Sequence, residues 1–217
     1  MGACAQRAGE VAKETDLKIR TMTNRIGEII ETTSTGIVAE SETLNQPPPL
    51  GSLCEVKVGD RLTLYAVVAF GRTGGIDPSR RAAKRGNAQV SDAEVYRQHP
   101  ELNRILRTEF SAVLVGWDEG KGIQQRLPSQ PPPLHYSLYS CARETVANFT
   151  SQLVYLRLLL NAVGDISPDQ LVAANVRAMY AARSDDHDWL ERAAKELASL
   201  LKNDYERLMN VLLAIEP

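Results

Sequence analysis

Arg72, Arg80, Arg81, Lys84 and Arg85 crowd a short stretch in which Asp77 is the sole nearby acid. Cations at that density suit the phosphates of a nucleic acid or an acidic protein surface. No aromatic residue is interleaved among them to stack a base, so a solvated loop is the competing reading. Two other tracts share one word, Gln46-Pro47-Pro48-Pro49-Leu50 and Gln130-Pro131-Pro132-Pro133-Leu134. Each predicts a polyproline II connector without backbone donors. Such a connector either docks in an aromatic-lined groove of a partner or fixes how a strand enters a sheet. Both tracts adjoin strand patterns, so the second reading, a rim strap, is preferred.

Catalytic groups do not converge in the sequence. Gly71-Arg72-Thr73-Gly74-Gly75 lacks the lysine of a phosphate cradle, and Gly120-Lys121-Gly122 lacks the hydroxyl that would hold magnesium. Both read as turns. Neither a GxSxG elbow nor an HExxH pair occurs. His99, His135 and His187 stand at no metal-ligand spacing to each other or to Cys4, Cys54 and Cys141. The acids around His187 complement the positive end of a helix. Glu28, Glu31 and Glu40 are candidates for paired carboxylates, but on short strands they read as outward, solubilising charges. The expectation is a chain that is not an enzyme and carries no cofactor or metal.

The elements that must position these groups follow from pattern. Hydrophobic residues make up 43% of the 217, enough for a core, and the formal charge of −2 gives no bulk attraction to polyanions. The most apolar run, residues 153–163, is too short for a membrane span and contains Arg157. Sparse, odd cysteines and the absence of an apolar leader in residues 1–25 fit a cytoplasmic protein. Residues 1–22 read as a flexible tail, and Met22 is an alternative translation start.

From residue 23 the signals are β. Short runs at 26–31, 37–39, 56–58 and 62–70 are separated by Ser/Thr and Gly-marked turns. Residues 72–108 form an insertion: an exposed basic loop to Gln89, then helix capped by Ser91 and interrupted at Pro100. Strand pattern resumes at 110–117, turns at 118–122, and returns at 123–127 and 135–139. Three amphipathic helices are then predicted. The first carries Ala142, Val146, Phe149, Leu153, Leu156 and Leu160 and ends at Gly164. The second opens at Ser167-Pro168, and the third runs from Asp185 or Asp186 to Ile215.

Three segments resemble the HAS-barrel family, the barrel shared by HerA helicases and rotary ATP synthase subunits. They are residues 26–41, residues 47–60 with the Val58-Gly59-Asp60 turn, and the strand leading into Gly71. The similarity spans residues 25–139. It implies a non-catalytic barrel that forms collars in oligomers and docks an ATPase or a nuclease of DNA processing. The chain carries no ATPase core beside it, so motor activity is not implied.

The expected fold is α+β: a small closed antiparallel β-barrel over residues 23–139 with a partly helical insertion, then a three-helix region over 140–217. The expected function is an assembly or adaptor module for a protein partner, with Arg72, Arg80, Arg81, Lys84, Arg85, Pro47, Pro48 and Pro49 as contacts. Nucleic-acid binding through the basic loop and an enzyme site invisible in sequence stand as alternatives. Homo-oligomerisation is open, and no membrane partner is expected.

Overall fold

The computed structural model describes residues 24–77, 81–86 and 92–215. Cys4, Met22, Arg80 and the Ser91 cap lie outside them. Six strands carry the first part of the chain: β1 (Arg25–Thr32), β2 (Gly36–Ser41), β3 (Leu53–Val58), β4 (Leu62–Gly75), β5 (Leu106–Asp118) and β6 (Ser137–Ser140). They close as an antiparallel barrel in the order β1-β2-β5-β4-β3-β6, with β6 pairing back to β1. Alternation fills the interior: Ile29, Ile37, Val56, Leu64, Phe110, Leu114 and Leu138 are buried together inside. Closure leaves the ring without a free edge along its length.

β4 and β5 outrun their neighbours. Arg72 pairs with Glu109 and Gly75 with Leu106, so the basic segment begins as strand, whereas the sequence suggested a loop from Arg72. The cause is cross-strand pairing between segments more than thirty residues apart, which overrides the turn character of the glycines. Two short helices, α1 (Asp92–Gln98) and α2 (Leu102–Ile105), follow on either side of Pro100, as its missing donor requires. The expected return strand at 123–127 shrinks to a single bridge between Trp117 and Gln124.

The remaining helices are α3 (Arg143–Phe149), α4 (Leu156–Leu160), α5 (Pro168–Ala182), α6 (His187–Leu200) and α7 (Tyr205–Ile215). The three predicted stripes are therefore carried by five helices. The first stripe breaks at 150–155 because Gln125 intercepts its backbone: Nε2 donates to the carbonyls of Phe149 (2.7 Å) and Gln152 (3.0 Å), and Oε1 accepts from Tyr155 N (3.1 Å). α4 then ends at Leu160 rather than Gly164. The last stripe breaks after Leu201, where Asp204 restarts the helix by accepting from Arg207 N. Ser167 and Asp186 cap α5 and α6, the latter from Trp189 N at 3.0 Å.

These helices pack on the barrel's outer wall. Leu53, Tyr65, Val67, Ala69 and Val115 point outward from β3, β4 and β5 and share one buried cluster with Phe149, Tyr155, Leu171, Val176 and Trp189. The wall formed by β1 and β2 carries no such buried cluster, and β2 meets α4 and the α4–α5 loop only across a cavity.

Candidate functional site

On that wall the strand alternation should place polar residues outward. Ile30 and Val38 break the rule, and Phe70 at the far end of β4 joins them: each is apolar and only half-buried. The register sets Glu31, Val38, Ser111 and Phe70 in one row across β1, β2, β5 and β4. The next row is Glu28, Glu40, Glu109 and Arg72. An apolar band thus lies beside a charged one.

The charged row ends in a clamp. The Glu109 side chain is only 7% exposed and lies between two guanidiniums. Arg72 donates to Oε2 through Nε at 2.8 Å and also through Nη2; Arg107 forms an ion pair with Oε1, Nε lying at 2.7 Å. Such charge-assisted bonds fix the Arg72 guanidinium plane, and the ion pair keeps Arg107 beside it. The Arg72 side chain stays 63% exposed, so its remaining donors face outward. Below the clamp, the Thr73 and Thr108 hydroxyls share a 2.7 Å hydrogen bond, and Thr108 also accepts from Asn45 N.

Three cavities join along this face. A cleft of about 320 Å³ is lined by the cations Arg72, Arg107 and Arg81 and by the acids Glu109 and Asp77. It shares Arg72, Arg107 and Glu109 with a cavity of about 420 Å³ that holds Ile30, Val38 and Phe70. That cavity continues through Glu31, Phe70 and Asp165 into a third of about 540 Å³, bounded by the α4–α5 loop at Val163–Ile166. The result is a groove running along β5 from Arg107 to Leu114, guanidinium-lined at one end and apolar beyond.

The predicted contact residues divide. Arg72 belongs to the groove, held by Glu109, which corrects the reading in which Asp77 was its sole acidic neighbour. Arg85 pairs with Glu101 at 3.5 Å. Arg81 and Lys84 are exposed, with no ion pair among the described residues. Pro47 lies against the bare backbone of Gly71, where a Cβ would come within 3.0 Å of it. Ser41 Oγ donates to Gln46 O and Ser52 Oγ to Pro49 O, so Pro47, Pro48 and Pro49 form a strap laid across the rim. Glu28 and Glu40 sit opposite each other; Glu28 binds Arg25 at 3.1 Å and His135 Nδ1 at 3.0 Å. His187 contacts the Tyr180 hydroxyl, and His99 contacts Glu101.

Sequence reasoning missed Ile30, Val38, Arg107 and Glu109. The signal was present: Ile29-Ile30 and Ile37-Val38-Ala39 are consecutive apolar residues where a solvated wall requires alternation. Away from the groove, burial pushes the Cys54 thiol up to about 12 and raises the Cys141 thiol as well, with the Glu55 carboxylate adding to both. No protein-family model matches this chain, and comparison with curated proteins finds no match.

Proposed function

We propose that this chain is a non-enzymatic assembly or adaptor module that binds a protein partner on the outer wall of its barrel. The observation that carries the reading is the half-buried apolar band Ile30, Val38 and Phe70, which faces an open groove between the strands and the α4–α5 loop. The barrel interior is filled by its own side chains, as in barrels that serve as scaffolds. The sequence resemblance to HAS barrels supports an ATPase or a nuclease of DNA processing as the partner, and homo-oligomerisation as the state in which it docks. The segment that follows Arg72 borders the same groove, and the rim strap lies at Gly71 on the other face of β4 as a second contact surface.

The test is affinity capture from native extract with wild type beside Phe70→Asp and Val38→Asp, each checked for unchanged circular dichroism. An ATPase or nuclease recovered by wild type and lost from both variants is the expected result. Equal recovery by all three proteins refutes the wall as the docking face. A robust ATP hydrolysis rate of the pure protein, abolished by a point mutation in it, refutes the non-enzymatic reading.

A further inference from the structure

The groove has a chemistry more specific than apolar burial, and it selects among partners. Along a strand, side chains on one face recur every two residues, about 6.6 Å apart. Phe70 and Arg72 stand in that relation on β4, as do Ser111 and Glu109 on β5 and Val38 and Glu40 on β2. An extended partner chain lying along the same direction has the same repeat. An apolar side chain seated over Val38 and Phe70 therefore places its next-but-one side chain at the Arg72 end of the row that also holds Glu109 and Glu40, with Arg107 one row further along β5.

What that position accepts is set by Glu109. Its two oxygens already face both guanidiniums, and beyond Glu109 the exposed Arg72 side chain has no further hydrogen-bond partner among the described residues. Arg81 lines the same cleft without an ion pair among the described residues. A second carboxylate meets oriented donors at little cost in side-chain ordering. The opposite flank carries Glu31 and Asp165. A continuous polyanion laid along the groove would meet those carboxylates, whereas a single acid beside an apolar residue would not.

Resting on the docking reading above, we infer that the groove recognises an extended segment of a partner protein in which a large apolar residue stands two positions from an aspartate or glutamate. The apolar side chain packs on Val38 and Phe70, and the carboxylate takes the free donors of Arg72 with Arg107 and Arg81 beside it.

The probe is a random decapeptide library displayed on phage, selected on the purified full chain. Enriched sequences are expected to carry the apolar-x-acid spacing, read in either direction. A synthetic winner should bind at least fivefold more weakly when its acid is changed to the amide. Removing Arg72 alone leaves Glu109 under-paired, so the matched double variant Arg72→Gln/Glu109→Gln is used with the exposed Arg81→Gln. The double variant should weaken the winner at least fivefold while its melting temperature stays near that of wild type. Winners without an acid, with spacings of three or four, or insensitive to the double variant overturn the inference, as does a selection that enriches nothing. Displacement of the winner by single-stranded DNA overturns it too, assigning the arginines to phosphates. So does wild-type self-association abolished by Val38→Asp, which would put a second copy in the groove. If Val38→Asp releases the winner but the acid is irrelevant, the docking wall stands and the carboxylate rule alone falls. If Val38→Asp leaves binding intact, both fall.

Discussion

Asn175 on α5 donates its side-chain amide to the Gly51 carbonyl at 2.8 Å, across the seam between the helices and the barrel. Its Oδ1 accepts from the Tyr155 hydroxyl at 2.9 Å, and Asn175 and Tyr155 are fully buried. Gly51 adopts φ +81°, and a Cβ there would fall 2.4 Å from the Ala174 carbonyl carbon. One polar bridge and one bare backbone therefore set how closely α5 approaches the strand entry into β3. Asn175→Leu strands a buried hydroxyl and a buried carbonyl and should cost about 3 kcal/mol, read from the urea midpoint. Gly51→Ala combines a disfavoured dihedral with overlap and should cost at least as much. A change below about 0.5 kcal/mol for Asn175→Leu would show that the seam is held by apolar packing alone.

Gln125 is predicted to govern the break between α3 and α4. Gln125→Ala removes three hydrogen bonds at once and leaves the Phe149 and Gln152 carbonyls and the Tyr155 amide to find water. The expected loss is about 1–3 kcal/mol, with faster amide exchange confined to residues 150–156. Unchanged exchange there would mean that the break is set by the helices themselves.

The buried Cys54 thiol and Tyr65 hydroxyl make stability fall in alkali. Cys54 rises from an ordinary 9.0 to about 12 through burial, and Tyr65 from 10.0 to about 12 for the same reason. A raised value means that the neutral form is favoured in the folded chain. The stabilisation is then complete below the unfolded value and is lost as pH climbs toward the folded one. Urea midpoints should hold between pH 7 and 8.5 and drop steadily from about pH 9 to 12, less steeply in Cys54→Ala. At neutral pH, N-ethylmaleimide should label Cys54 only at the rate of unfolding and the half-buried Cys141 sooner. Rapid labelling of Cys54 in the native state would contradict its burial.

Direct nucleic-acid binding, the competing reading of the basic segment, makes a separable prediction. Arg81 and Lys84 are exposed without ion pairs among the described residues, whereas Arg72 and Arg85 already face carboxylates. If phosphates were the target, affinity for single-stranded DNA would fall steeply with salt, and Arg81→Gln/Lys84→Gln would flatten that slope by about 1–2 in log–log form. The adaptor reading expects binding that is weak at 50 mM salt and absent at 150 mM. Retention at 150 mM with a loss in the double variant would favour the nucleic-acid reading.

The barrel and the helical region were legible because local patterns agree with the fold. Val56, Leu64 and Val68 alternate or run as buried strands must, and Ser167-Pro168 and Asp186 mark helix starts by side-chain chemistry alone. The groove was not legible as a site, because Val38 and Phe70 become neighbours only through the register of β2 on β5 and β5 on β4. Arg72 was read as loop because the glycines around it look like a turn, and Glu109 lies far along the chain. The helix break at 150–155 belongs to the same class: its cause, Gln125, sits before the second proline tract and carries no helical signal.

The four residues of β6 seal the ring between β1 and β3, more than a hundred positions after β1 begins. During synthesis the other strands must wait, partly paired and wet on one margin, until Ser140 leaves the ribosome. Loop entropy of that span weighs against early sealing, so the nascent chain passes through an open, sticky sheet before it becomes a cylinder. A short, late strand thereby acts as the latch of the barrel, and the helices that emerge after it can settle only on a wall that the latch has already shaped.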